Sequence, residues 1–113
     1  MCWEPSLEIH RSNPAFIQQL ESAQASKDPA SEKLLKFVSE LTARYPDLTV
    51  TDDTPWATGP LTGEIGGRFI HFVISWSWYK STLVGFVVQT GHSVGLHCYD
   101  PQTDIFYKNP DAP

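Results

Sequence analysis

The apolar run Phe69-Ile70-His71-Phe72-Val73-Ile74, opened by Gly66-Gly67-Arg68 and closed by Trp76, constrains this chain more than any other stretch. Successive side chains of an extended segment point to opposite sides, and here both sides are apolar. The run therefore predicts a central, well-covered strand over residues 68–76, and the rest of the chain has to supply its cover. It is far too short to cross a bilayer. With 113 residues in all, there is material for one domain, 1–113, around a single core.

Three helices are predicted. Ser12-Asn13-Pro14 reads as a start signal, a capping residue followed by proline at the first helical position. Phe16, Ile17 and Leu20 then give a one-sided stripe over residues 14–25. Asp28-Pro29 repeats the signal before a helix over about residues 29–45, where Leu34, Leu35, Phe37, Val38, Leu41 and Tyr45 recur at helical spacing. Pro46 stops it, because proline excludes its predecessor from helical geometry. Ser77 is placed to cap a helix over about 78–93, with Leu83, Phe86, Val87, Thr90 and Val94 on one stripe and Gly95 at the left-handed C-terminal cap.

The remaining strands are short. Cys2, Trp3, Leu7 and Ile9 form a weak first strand bordered by Pro5, and Leu48-Thr49-Val50-Thr51 reads as a β-branched strand before a loop that runs to about Gly63. Leu96 to Tyr99 is a strand, Asp100-Pro101-Gln102-Thr103 a turn, and Ile105-Phe106-Tyr107 a returning hairpin arm. The tail from Asn109 to Pro113 should fray. The order predicts an α+β fold, a mainly antiparallel sheet with helices packed on one face, ferredoxin-like β-α-β-β-α-β or a variant of it. Ile70, Phe72, Ile74, Phe86, Val87, Leu34, Leu41 and Leu96 are the expected core.

A net charge of −5 disfavours nucleic acid and anionic membranes, both of which need Lys and Arg to neutralise phosphates. It suits a basic protein partner drawn in by electrostatic steering. Met1-Cys2-Trp3-Glu4-Pro5 has no basic stretch leading into an apolar one, so no signal peptide is expected and the cytoplasm is the default compartment. Cys2 and Cys98 are the only cysteines. In that compartment both are expected as free thiols, with a disulfide open only if the two lie on neighbouring strands.

Few residues point to catalysis. His97 adjoins Cys98, so on a strand the two face opposite ways, and Cys98 reads as a small buried residue. No CxxC or HExxH spacing offers a metal site. Asp52, Asp53 and Asp100 could meet at one sheet end but read as a wet acidic rim. Gly63, Gly66 and Gly67 lack the Lys-Ser/Thr of a phosphate loop. No cofactor, no metal and no enzymatic activity are expected. Aromatic residues carry more signal. Trp78, Tyr79 and Tyr107 stand near Asp52, Asp53, Asp100 and Asp104 in loops and strand ends, which suits a protein interface. Trp56 and Trp76 read as core, since tryptophan is highly buried on average. The competing reading is a small-molecule pocket or enzymatic site lined by Trp56, His71, Tyr99 and Asp100.

Three segments carry a resemblance: Leu41-Thr42-Ala43-Arg44-Tyr45-Pro46-Asp47, Thr54-Pro55-Trp56 and Gly95-Leu96-His97-Cys98-Tyr99-Asp100-Pro101-Gln102. They resemble a group of small bacterial proteins with a "ryPdl … spW … GLvcYDPQ" pattern, found in toxin–immunity neighbourhoods that include contact-dependent growth inhibition and Rhs-type loci. The resemblance covers about residues 29–107. It implies an immunity protein that binds the C-terminal domain of a cognate toxin, a basic nuclease-type domain, and blocks its active site stoichiometrically. Separately, a monomer or weak homodimer is expected. It carries over no catalytic residue. Thr90-Gly91 departs from the pattern where an alanine is expected, which should leave that helix looser.

Overall fold

The computed structural model of the protein describes residues 1–112. Along the chain it has β1 (Cys2–Trp3), α1 (Phe16–Gln24), α2 (Glu32–Arg44), a 3-10 turn (Leu61–Glu64), β2 (Ile65–Gly66) and β3 (Phe69–Ile70). A second 3-10 turn (Trp76–Trp78), α3 (Ser81–Ser93), β4 (His97–Asp100) and β5 (Ile105–Tyr107) follow. The strands form one sheet in the order β2-β3-β1-β4-β5, every neighbour antiparallel. The α1–α2 crossover carries the chain past the place of β3, and α3 carries it past β1. The first four strands of the chain thus follow the β-α-β-β-α-β order, with β5 added as a hairpin arm.

Side-chain alternation divides the core in two. Cys2, Ile70 and Cys98 face one way, into a cluster with Leu34, Phe37 and Leu41 of α2 and Val87 of α3. Trp3, Phe69 and Tyr99 face the other way, against Phe16 and Leu20 of α1. Helices α2 and α3 share the predicted face. Helix α1 closes the opposite one, where Trp3 stacks on Phe69 and Phe106 at 5.9 Å.

Local chemistry sets the boundaries. Ser31, not Asp28, caps α2: its hydroxyl accepts from the Leu34 N–H at 3.3 Å. Asn13 accepts from the Ala15 N–H at 2.8 Å, and α1 begins just after. Gly67, with φ +58°, is the first central residue of the two-residue turn joining β2 to β3, the position that favours glycine in such a hairpin. Gly95 has φ +90°; its N–H donates to His92 O at 3.1 Å and the Leu96 N–H to Gly91 O at 2.8 Å, the paired bonds of a Schellman cap.

Three expectations are corrected. The long strand over 68–76 is short: only Phe69–Ile70 joins the ladder, and Val73 is 48% exposed. Beyond Ile70 the backbone partners come from a loop. The Ala57 N–H donates to Val73 O and the Ser75 N–H to Pro55 O, with Trp56 bridged to Ile74. Residues 48–51 are no strand but a turn, because the Asp47 carboxylate takes the Thr49 N–H at 3.0 Å and the Thr49 hydroxyl at 3.1 Å. Ser77 caps nothing; it lies inside the turn Trp76–Trp78, and α3 begins at Ser81.

The tail is held where it was expected to fray. Asn109 is buried, and its side-chain amide donates to His92 O at 3.0 Å and Leu96 O at 3.3 Å. Its backbone N–H donates to His97 Nδ1 at 2.9 Å. Pro113 lies outside the described residues. No helix among the described residues is long and apolar enough to cross a membrane.

Candidate functional site

The motif segments turn out to be scaffold at one end and site at the other. Tyr45-Pro46-Asp47 and Thr54-Pro55-Trp56 lock to each other. The Trp56 indole N–H donates to Tyr45 O at 2.8 Å, the Thr54 hydroxyl donates to Pro46 O, and the Leu61 N–H donates to the Asp47 carboxylate at 2.9 Å. Burial alone would raise the Asp47 carboxyl, but these donors from Thr49 and Leu61 outweigh it and hold the group below its ordinary value. Trp56 is fully buried, edge-on to Phe72 at 5.5 Å, as expected of a core tryptophan.

The segment Cys98-Tyr99-Asp100-Pro101-Gln102 forms one wall of a hollow beside α3. Asp100 accepts the Gln102 N–H at 2.9 Å, which shapes the turn, and its other oxygen accepts the Tyr79 hydroxyl. That hydrogen bond, with burial and the Asp100 charge behind it, pushes the Tyr79 phenol up to about 12. Below this pair is a cavity of about 130 Å³ whose lining includes Cys2, His71, Phe72, Val87, Cys98 and Asp100. A wider hollow of about 620 Å³ adjoins it, lined by Val84, Val88, His92 and Thr103 among others; Tyr79, Asp100 and Tyr107 line both. Burial lowers the His71 imidazole from its ordinary value.

On the rim stands Trp76, 81% exposed, its ring stacked on Tyr79 at 6.2 Å and 6°. Exposed Val73 continues the apolar patch into the cavity lining. Trp76 was expected in the core, and this is a correction. Its neighbours Ser75 and Ser77 are small and polar, and that flanking was the available signal for a turn instead of a covered strand. The segment turns outward as soon as the Ser75 N–H has bonded Pro55 O.

The sequence-predicted contact residues divide into four groups. Tyr79, Asp100 and Tyr107 meet around the hollow. Trp78 packs edge-on against Tyr45 at 5.8 Å, half-buried. Asp52 and Asp53 are exposed on the loop before Thr54, with no contact to the hollow. Asp104 pairs with Arg11 at 2.8 Å and accepts the Tyr99 hydroxyl at 2.6 Å, so it braces the α1 side of the sheet. Of the four residues proposed for a small-molecule pocket, His71, Tyr99 and Asp100 line the cavity and Trp56 does not.

The described residues contain no cluster of three or more His, Cys, Asp or Glu side chains able to hold a metal. The arrangement offers instead an aromatic and apolar rim over a concave floor, with one carboxylate fixed at its mouth. No protein-family model, no curated protein and no solved structure matches this chain.

Proposed function

We propose that this protein neutralises a cognate bacterial toxin domain by binding it at the groove between Trp76 and β4–β5. The observation that carries the reading is Trp76, a tryptophan left 81% exposed and held flat against Tyr79 beside a concave, largely apolar floor. A rigid aromatic pair over a pocket is the composition of an interface hot spot. The charge of −5 supports a basic partner, and Asp100 at the groove mouth supplies a fixed anionic group to it. The resemblance of the Gly95–Gln102 segment to immunity-associated proteins supports a toxin as that partner. Inhibition of this kind needs occupancy and no chemistry.

The test is co-expression with the toxin domain encoded beside the gene, followed by titration calorimetry. A one-to-one complex is expected, and Trp76→Ala should cost about 2 kcal/mol, roughly a thirtyfold loss of affinity. Absence of binding at micromolar concentration, with cells dying despite the protein, overturns the reading. A small molecule retained in native mass spectrometry of the purified protein would instead assign the cavity of His71, Tyr99 and Asp100 to a ligand.

A further inference from the structure

Cys2 of β1 and Cys98 of β4 lie directly opposite each other across the middle of the sheet. Their sulfurs are 2.9 Å apart and both residues are buried. The register decides how close the two backbones come. Met1 and Tyr99, one step along, exchange both backbone hydrogen bonds: Met1 N–H to Tyr99 O at 3.0 Å and Tyr99 N–H to Met1 O at 2.8 Å. Cys2 and Cys98 therefore occupy the next, non-hydrogen-bonded position, where the strands approach most closely, with Cα atoms about 4.5 Å apart. That separation falls within the range a disulfide spans without moving the backbone. Gly91 of α3 keeps the space free, since a Cβ there would lie 2.6 Å from the Cys98 sulfur. Both thiols also line the 130 Å³ cavity, whose lining continues to the exposed Pro101 and Gln102, so a small oxidant has a route to them.

We propose that Cys2 and Cys98 are a reversible redox modification site, closing to an intramolecular disulfide that clamps β1 to β4. With hydrogen peroxide as oxidant, the Cys2 thiolate attacks a peroxide oxygen and the O–O bond breaks. Cys2 becomes a sulfenic acid, and the departing hydroxide takes up a proton as water. Cys98, having given up its proton, attacks the Cys2 sulfur; the S–S bond forms and the S–O bond breaks to release a second water. Two thiols lose two electrons and the peroxide gains them. The order of attack follows the local chemistry. Burial works against the Cys2 thiolate, but the Cys98 hydrogen bond outweighs it and lowers Cys2, while the bond with Cys2 pushes Cys98 up.

The experiment uses the full chain, reduced, freed of reductant and exposed to hydrogen peroxide at neutral pH. The expected product is a monomer lighter by two hydrogens, with no free thiol after denaturation and a Cys2–Cys98 cross-linked peptide in a non-reducing digest. Its melting temperature should exceed that of the reduced form, and added dithiothreitol should restore the original mass and melting temperature. Persistence of both thiols at peroxide doses that oxidise the urea-unfolded chain overturns the proposal. So does a product of sulfinic acids or disulfide-linked dimers, or an oxidised monomer that melts below the reduced one. All readouts are made on the unsubstituted protein, so none depends on a variant that folds.

Discussion

Replacing Gly91 by alanine tests how tightly α3 is seated on the sheet. In an unconstrained helix the change stabilises by about 0.5–1 kcal/mol, because glycine carries excess backbone entropy in the unfolded chain. At this position the added Cβ would stand 2.6 Å from the Cys98 sulfur, where ordinary contact begins at 3.4 Å. Cys98 cannot swing away cheaply, since its sulfur already lies 2.9 Å from that of Cys2 in a buried site. Overpacking of this kind costs about 1–3 kcal/mol, which exceeds the helix gain. Gly91→Ala should therefore lower the urea-unfolding free energy by about 1–2 kcal/mol and the melting temperature by about 4–8 °C. Gly85 is the internal control, because a Cβ there meets nothing within 4 Å, and Gly85→Ala should stabilise by about 0.5–1 kcal/mol. In a Cys98→Ala background the sulfur is gone and Gly91→Ala should change sign to match Gly85→Ala. A Gly91→Ala protein as stable as Gly85→Ala with Cys98 intact would show that α3 and β4 do not approach as described.

Three further outcomes are expected. His97 accepts the Asn109 N–H on Nδ1, and burial, with Lys108 and the neighbouring histidines, lowers its pKa. Stability is then full above the unfolded value near 6.5 and falls as the pH drops through the lowered folded value, so urea midpoints should decline from about pH 7 to about pH 5, and a flat profile would contradict the assignment. The Tyr79 phenol, raised to about 12, contributes stability that is complete below pH 10 and lost as the pH rises through 12; Asp100→Asn should bring one tyrosine's ultraviolet ionisation down towards 10, and an unchanged titration would count against the Tyr79–Asp100 bond. Phe72→Ala should cost about 3–5 kcal/mol in urea unfolding, because the ring packs on Trp56 and Phe37; a loss under about 1 kcal/mol would mean that residues 71–75 do not close the core.

The helices were legible because their signals are local. The stripe from Leu34 to Leu41, the stop at Pro46 and the left-handed Gly95 each act within a few residues. The failures come from longer range. The apolar run after Ile70 looked like continued strand, but its hydrogen-bond partners lie in the Pro55–Trp56 loop, which no periodicity in the run itself encodes. Thr49-Val50-Thr51 had strand composition, and one carboxylate at Asp47 overrode it. Gly91 looked like a loosened helix; it is a contact with β4. At the site, Tyr79, Asp100 and Tyr107 were found together because strand ends and a helix start converge there. Trp76 was missed because average burial of tryptophan says nothing about a particular turn.

The two-residue strand β1 holds the centre of the sheet while sitting at the far end of the sequence from its partner, 96 residues from Cys2 to Cys98. Emerging from a ribosome, Cys2 and Trp3 have nothing to pair with on the β4 side until residues 97–98 have been made. The sheet therefore cannot close cotranslationally from its start; it closes late, by threading an early segment between two later ones. Until then Trp3 has Phe16 and Phe69 beside it but lacks the stacked ring of Phe106.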